Sequence, residues 1–236
     1  TDAFWAPRLR INRETTLPSQ HRHCKETGRV DNFRIASGHK KGAFKGIFFN
    51  DSDIYKWLEA ASWSLATDPD PRLRKIVDSV VAEVAAAQQP DGYLNTYFMG
   101  KRSKERWSNL KDMHEMYCGG HMIQAAGAHH RATGSRAFLD VACRFGDLLV
   151  RRFGPVSDGK VEGVDGHEEI EMALVELSRA TGNPAYLRQA SYFLGARGRG
   201  LLRGDPYNQD HKPFAKQDRM TGHAVRQVYL NCGAAD

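Results

Sequence analysis

Ala66-Thr67-Asp68, Ala132-Thr133-Gly134 and Ala180-Thr181-Gly182 are each followed by a leucine, Leu73, Leu139 and Leu187, seven residues after the alanine. Each triplet closes one run of helically spaced apolar residues and opens another, so the repeated unit is a pair of antiparallel helices joined by a tight turn. An internal repeat of this kind makes the fold all-α. Three such pairs followed by a seventh, unpaired helix describe either a solenoid or a closed toroid of helical hairpins. The last helix has no partner in the sequence. Its apolar face is expected to lie uncovered, which implies that the chain is a piece of something longer, or that another chain covers it and self-association is to be expected.

The individual helices read outward from these turns. The first spans Asp53 to Ala66, capped by Asp51 or Ser52, with Ile54, Trp57, Leu58, Ala61 and Leu65 on its buried face. The second has Asp70 as its cap and Pro71 at its first position, where a missing N–H is harmless; Leu73, Ile76, Val77, Val80, Val84 and Ala87 mark its core side, and Gln89-Pro90-Asp91-Gly92 stops it. An extended Tyr93 to Tyr97 follows. A third helix runs from the stretch Asp112 to His121 to about Thr133, and a fourth from Arg136 to about Arg152. A fifth starts at Gly166-His167-Glu168-Glu169-Ile170-Glu171, a sixth runs from Asn183-Pro184 to near Gly198, and a seventh follows Thr221-Gly222-His223-Ala224-Val225-Arg226. Residues 1–50 are predicted to be irregular, with Phe4-Trp5-Ala6-Pro7 extended and its rings tucked inward, a short helix within Arg8 to Leu17, and a buried Gly46-Ile47-Phe48-Phe49. They would pack on residues 51–236 as one domain.

Composition limits the partners. Of 236 residues, 41% are hydrophobic and 26% charged, ordinary for a globular chain, and no apolar run approaches the ~20 residues of a membrane helix. No membrane partner is expected. The net charge of +6 is scattered over Lys40-Lys41, Lys101-Arg102-Ser103-Lys104 and Arg197 to Arg203, read as solvated surface, and no nucleic-acid partner is expected. Cys24, Cys118, Cys143 and Cys232 form no Cys-x-x-Cys pair and read as reduced, mostly buried thiols. No secretory leader is read at the start, which opens on Thr1, and the expected location is cytoplasmic.

In a toroid of hairpins the first, third, fifth and seventh helices form the inner ring and present their first turns to one end of a central funnel. Those starts hold Asp51 and Asp53, His114 and Glu115, His167 with Glu168 and Glu169, and His223 with Arg226. With Trp57, Tyr93, Tyr97 and Trp107 nearby, a funnel of roughly 300 to 1,000 Å³ would suit a carbohydrate, whose hydroxyls need donors and acceptors and whose apolar face stacks on rings. Asp51, Glu168 and Glu169 are themselves read as helix caps and solvated first turns. The zinc-protease pattern His-Glu-x-x-His is absent, because Cys118 stands where the second imidazole belongs. His114, Cys118 and His121 share a helix stripe that could hold a metal only with a further ligand from elsewhere, and Gly119-Gly120 points to a close approach, read as a pocket wall. Phosphate-loop and dinucleotide fingerprints are missing.

Five segments in order sharpen this reading: Asp51-Ser52-Asp53-Ile54-Tyr55-Lys56-Trp57-Leu58-Glu59-Ala60, Asp91-Gly92-Tyr93-Leu94-Asn95-Thr96-Tyr97, His114-Glu115-Met116-Tyr117-Cys118-Gly119-Gly120-His121, Gly166 to Glu171, and Thr221 to Arg226. Together they resemble glycoside hydrolase family 127, the β-L-arabinofuranosidase-type enzymes, over essentially the whole chain. The resemblance implies a catalytic (α/α)6 barrel followed by β-sandwich domains, here reduced to about seven helices. It also implies a retaining mechanism with a zinc-bound cysteine nucleophile and a glutamate acid/base. The family's zinc is held by one glutamate and three cysteines, in motifs that fall beyond the Gly-His-Ala-Val-Arg segment. Thirteen residues follow His223, so zinc is expected for the full-length enzyme and not for this chain alone, with no catalytic residue and no metal ligand among its own residues. None of the four cysteines has the Glu-x-Cys or Cys-Cys context. By motif match, the resemblance assigns sugar contacts to His114, His167, His223 and, near the amino end, Gln20.

Two other readings are kept beside this one. A non-enzymatic helical-repeat module that binds partners would scatter the histidines outward. Another sugar-active (α/α)6 enzyme, an epimerase or a hydrolase of unsaturated uronides, would aim Arg34 or Arg226 into the funnel to meet a carboxylate.

Overall fold

The computed structural model describes residues 2–236, and its first difference from the sequence reading is that the N-terminal fifty residues are largely helical. Helix α1 (Trp5–Ile11), a π-helical turn (Asn12–Thr16) and α2 (Leu17–Glu26) form one continuous rod, and α3 (Arg29–Ala36) folds back beside it. Pro18 explains the π turn: it has no N–H to donate and its ring crowds the carbonyl four residues earlier, which the wider turn relieves. Phe4 and Trp5 are not tucked inward but 54% and 60% exposed, and Ile47 of the expected buried run is 45% exposed.

The remaining helices are α4 (Asp51–Thr67), α5 (Pro71–Ala87), α6 (Glu115–Thr133), α7 (Ala137–Arg152), α8 (Ile170–Thr181), α9 (Pro184–Ala196) and α10 (Ala224–Ala235). Asp70 and Asn183 cap α5 and α9 as expected, their side chains accepting from Arg72 and Leu73 N–H and from Ala185 N–H. The cap of α4 differs. Asn50 holds that position without a side-chain bond, and Asp51 is drawn into the interior instead.

Helix α4 packs along α6, α6 along α8 and α8 along α10, while α5 packs on α7 and α7 on α9. These are the inner and outer rings of a toroid of hairpins, the (α/α)6 architecture. The α2–α3 pair extends both rings, α2 lying on α4 and α3 on α5, so residues taken as irregular hold one more copy of the repeat. Its turn has the same chemistry as the others. Thr67, Thr133 and Thr181 donate their hydroxyls to the carbonyls of Trp63, His129 and Leu177 at 3.3, 2.6 and 2.7 Å, and Thr27 does the same to His23. Gly28, Gly134 and Gly182 then reverse the chain at φ +81°, +70° and +72°. Thr27-Gly28 was the legible signal for this hairpin.

The core fills the space between the rings. Leu58, Ile123, Leu174 and Phe193 are buried, each worth about 1.5–3 kcal/mol relative to exposure. Of the repeat leucines, Leu73 and Leu139 are buried, but Leu187 is 47% exposed and Tyr186 fills its place. Gly119 and Gly120 do not line a pocket: the Phe145 ring of α7 occupies the space a Gly119 Cβ would take, and Glu169 packs directly on Gly120. Val225 and Val228 of α10 are each 51% exposed, so the unpartnered face expected of the seventh helix is open. Among the described residues no helix is long and apolar enough to cross a membrane, and the only β pairing is an isolated bridge between Phe153 and Val161.

Candidate functional site

His114 sits at the N-cap of α6 in the left-handed region, φ +56° and ψ +32°, a conformation that costs an L-residue about 1–2 kcal/mol. Two contacts hold it there. Its Nδ1 donates to the Asp112 carbonyl at 2.8 Å, and its own carbonyl accepts from Cys118 N–H at 3.1 Å. Because His114 makes no side-chain cap, the start of α6 is capped from another segment: the buried Asp165 carboxylate accepts Met116 N–H at 2.7 Å. Its other oxygen accepts His167 N–H at 2.9 Å, an Asx turn that sets the next histidine. Gly166, between them, lies so close to the Lys111 carbonyl that no Cβ fits. Its own carbonyl accepts from Asn208 Nδ2 at 2.8 Å and Arg226 Nη1 at 2.9 Å. His223 caps α10, its Nδ1 accepting Arg226 N–H at 3.4 Å. Three segments distant in sequence are thereby tied at one place.

The imidazoles form a row. Ring centroids of His114 and His167 are 5.4 Å apart and those of His167 and His223 6.5 Å, all three rings half-buried. Tyr117 packs on His167 at 4.3 Å and on His121 at 4.6 Å, and Tyr229 closes on His167 at 5.7 Å. The stripe read as His114, Cys118 and His121 is thus His114, Tyr117 and His121; Cys118 turns away, its thiol on the Phe49 carbonyl at 3.7 Å. Tyr117 and Tyr229 went unread because a tyrosine at helical spacing looks like core.

The hydrogen bonds decide what each ring offers. A carbonyl oxygen only accepts, so His114 and His167, whose Nδ1 atoms lie 2.8 Å from the carbonyls of Asp112 and Glu168, hold their proton on Nδ1 and offer Nε2 as an acceptor. His223 receives a backbone N–H at Nδ1, so its neutral tautomer offers Nε2–H as a donor. Burial lowers the pKa of His114 and brings that of His167 down to about 3, which keeps both rings neutral at physiological pH.

The acids near the row are not solvated first turns. Glu168, Glu169 and Glu171 are buried, with Arg197 fully buried among them, its guanidinium 3.4 Å from both Glu168 and Glu171. Arg197 therefore does not belong to solvated surface. Burial pushes Glu168 up to about 8 and Glu169 well above the carboxylate range, while His121, 3.4 Å from Glu169, is lowered to about 3. Glu115 points away from the row: its carboxylate accepts Tyr93 OH and, at 2.7 Å, Trp107 N–H, which fixes Trp107 at φ +62°. Asp51 accepts Thr96 N–H at 2.6 Å and its hydroxyl as well, anchoring the Tyr93–Phe98 segment.

Of the four aromatics expected around a sugar, Tyr93 is buried, Trp107 packs on Tyr93 and Phe153 in the core, and Trp57 donates its indole N–H to the Leu17 carbonyl. Only Tyr97 faces the row, through Phe48, which is 5.4 Å from the His114 ring. Gln20 lies on the Lys56 side of the row. It lines a cavity of about 490 Å³ with Lys56, Trp57 and Asp53, and the Lys56 ammonium links that wall to the row by donating to Tyr117 OH at 2.6 Å.

The residues present do not fit a metal centre. Cys24 and Cys118 are buried, Cys143 is half-buried and Cys232 exposed, all unpaired; burial raises the Cys118 thiol pKa, and no group of three or more His, Cys, Asp or Glu among the described residues is placed to hold an ion. Of the two arginines considered for a carboxylate, Arg34 is paired with Glu83 at 2.8 Å, whereas Arg226 stays beside the row, with Nη1 on the Gly166 carbonyl, its guanidinium stacked 4.7 Å over Tyr207 and its buried Nε without a hydrogen-bond partner.

Fold and site together define the class: an all-α toroid of helical hairpins that gathers imidazoles at the starts of its inner helices. The family model described as the catalytic domain of β-L-arabinofuranosidase, glycoside hydrolase family 127, matches residues 1–236. A curated relative, the non-reducing end β-L-arabinofuranosidase of Bifidobacterium longum subsp. longum, is 40% identical over 230 residues, which is 87% of this chain and 35% of the relative. The crystal structure of a family 127 β-L-arabinofuranosidase from Geobacillus stearothermophilus T6 superposes on the whole chain with a TM-score of 0.94 at 41% identity, covering 41% of that protein. A second solved family 127 β-arabinofuranosidase gives a TM-score of 0.92 at 45% identity and is covered over 38% of its length. The chain belongs to glycoside hydrolase family 127. It spans little more than a third of the length of these relatives.

Proposed function

We propose that this chain forms the sugar-binding wall of a retaining glycoside hydrolase that acts on terminal β-L-arabinofuranosides. The observation that carries the reading is the row of His114, His167 and His223, which offers two acceptors and one donor at adjacent positions. A sugar hydroxyl both donates and accepts, so neighbouring hydroxyls can bind such a row without any ring changing protonation. Binding here orients the sugar, and the packing of Tyr117 and Tyr229 against the histidines keeps water from their faces. The nucleophile, the acid/base and zinc belong, in this reading, to residues other than those described. No step is assigned to the four cysteines of this chain.

Gathering of the rings into one row speaks against a binding module with scattered histidines, and the pairing of Arg34 with Glu83 withdraws one of the two arginines an acidic-sugar enzyme would use. The test is hydrolysis of p-nitrophenyl β-L-arabinofuranoside by this chain and by one extended downstream, with binding of methyl β-L-arabinofuranoside measured on both. The expected result is binding by both and zinc-dependent turnover by the longer chain alone. Zinc-dependent turnover by the 236-residue chain would overturn this division of labour.

A further inference from the structure

Arg197 opens an arginine-rich stretch that looks solvent-facing in sequence, yet it is the most deeply buried arginine or lysine among the described residues. It stands at the end of the outer helix α9, its N–H on the Phe193 carbonyl at 3.0 Å. The next residue, Gly198, turns at φ +82° against the Lys212 carbonyl, where no Cβ fits. The buried Asp210 carboxylate winds the following loop about itself, accepting the N–H groups of Gly198, Leu202 and Gly204 at 3.1, 2.6 and 3.0 Å. The loop so formed returns Asn208 to Arg197 at the start of α8.

His167 is held between two carbonyls, and Arg197 secures both. The Gly166 carbonyl, on the peptide unit that precedes His167, accepts Asn208 Nδ2 at 2.8 Å, and the carbonyl of Asn208 in turn accepts Arg197 Nη1 at 3.2 Å. The Glu168 carbonyl accepts from His167 Nδ1 at 2.8 Å, and the side chain of the same glutamate is paired with Arg197 Nη1 at 3.4 Å. Arg197 Nη2 reaches one oxygen of Glu171 at 3.4 Å, and the other oxygen accepts Glu169 N–H at 3.3 Å. Serving a carbonyl and two carboxylates from one buried position takes the planar fork of a guanidinium. Among the described residues no other cation pairs with Glu168 or Glu171. Burial raises the pKa of Asp165 to about 6 and that of Glu168 to about 8, and the Arg197 charge opposes both rises, which favours the ionised Asp165 that holds His167 N–H.

We propose that Arg197 is the positioning residue of His167: it fixes the orientation of the ring and keeps its proton on Nδ1, so that Nε2 remains an acceptor for a sugar hydroxyl. This role in binding rests on the histidine row being the sugar site, whereas the tautomer of His167 can be read without any sugar. In the absence of the guanidinium, Glu168 and Glu171 are buried acids without a cation, and the segment from Gly166 to Glu171 shifts to relieve them. His167 then loses its fixed carbonyl acceptor, and its proton distributes between the two ring nitrogens.

Histidine-selective isotope labelling of the 236-residue chain lets nuclear magnetic resonance read the tautomer directly, the His167 signals being identified by their loss in His167→Ala. The unmodified chain is expected to carry the His167 proton on Nδ1 alone. Arg197→Lys keeps the charge without the fork and should show both tautomers; Asn208→Ala, which cuts the link to the Gly166 carbonyl, makes the same test should Arg197→Lys fail to fold. In titrations with methyl β-L-arabinofuranoside, Arg197→Lys should weaken binding about threefold to fivefold in the unmodified background and less than about twofold in the His167→Ala background, because groups that act through one another are not additive. A residue that merely stabilises the fold would weaken binding equally in both. Equal losses in the two backgrounds, a His167 proton still wholly on Nδ1 in Arg197→Lys, or a proton on Nε2 in the unmodified chain would each overturn the positioning role. Absence of sugar binding by the unmodified chain overturns the sugar-site reading instead, and the tautomer of His167 alone then decides whether Arg197 positions the ring.

Discussion

The carboxylate of Asp165 accepts the Met116 N–H at 2.7 Å, capping a helix from which it is 49 residues distant in sequence. Its second oxygen takes His167 N–H at 2.9 Å, so one buried acid fixes two of the three imidazoles relative to each other. Asp165→Ala should therefore lower the unfolding free energy by about 3 kcal/mol, since hydrogen bonds to a charged group are worth about 1.5–3 kcal/mol each and two buried donors are left unpaired. Asp165→Asn retains one acceptor and should lose about half as much. Urea denaturation followed by circular dichroism measures both, and equal stability of Asp165→Ala and the unmodified chain would remove the acid from this role.

Gly166 is the tightest point of the site, with the Lys111 carbonyl in the space of its missing Cβ and its N–H bonded to the Leu110 carbonyl at 2.8 Å. Because the obstruction is backbone, it cannot swing aside as a side chain would. Gly166→Ala is expected to cost about 3 kcal/mol or more and to weaken arabinofuranoside binding through displacement of His167. A thermal melt within a degree or so of the unmodified chain would show that the Leu110 to Lys111 segment yields easily.

Glu115 gives a pH signature. Burial raises its pKa from the usual 4.5 to about 7, so the folded state binds its proton more readily than the unfolded state. The stability that follows is fully present below about pH 4.5 and is lost as the pH rises through about 7. Glu115→Gln removes this dependence. The stability difference between the unmodified chain and Glu115→Gln should accordingly be largest in acid and shrink towards pH 8, read from denaturation midpoints across that range. A difference that grows with pH contradicts the assignment.

His167 makes the opposite kind of prediction, for binding rather than folding. With its pKa brought down to about 3 by burial, the ring is a neutral acceptor throughout the range in which most histidines titrate. Its share of arabinofuranoside affinity should be constant between about pH 5 and 8, so unmodified chain and His167→Ala should show parallel pH profiles, offset five- to tenfold by the loss of one hydrogen bond. Profiles that converge as the pH falls through the usual histidine range would show that the ring gains a proton.

Much of the architecture was legible locally. A threonine that bonds back to the preceding turn, a residue that reverses the chain and an apolar period of three and four are properties of a few adjacent residues, and they survive in any context. The same logic could have found the α2–α3 hairpin from Thr27-Gly28. It was hidden because glycines at 28, 38, 42 and 46 look like loop punctuation, and because the apolar face of α2 is only Leu17 and Cys24. Pro18 inside a continuous helical rod runs against its own propensity, and packing of the rod on α4 overrides it.

The site divides differently. The three histidines proposed to hold the sugar stand in motifs legible in the sequence, but what surrounds them was not legible there. Asp51, Glu168, Glu169 and Arg197 look like solvated charge in one dimension and are buried in three, because each meets a partner or loses its charge only when inner helices far apart in the chain close on each other. Gln20 comes from the N-terminal helix α2, and only the packing of α2 on α4 sets it beside Lys56, whose ammonium reaches Tyr117 of the row.

By itself, then, the amino-acid sequence determined a succession of helical hairpins and set three imidazoles at the starts of alternate helices, since caps, turns and apolar spacing act over one or two helical turns. Only the tertiary structure decided that those rings stand side by side, which nitrogen of each is free, and that Arg197 is buried among the acids beside His167. Those are relations between backbone carbonyls, buried carboxylates and rings brought together from distant segments, and their distances exist only once the helices have packed.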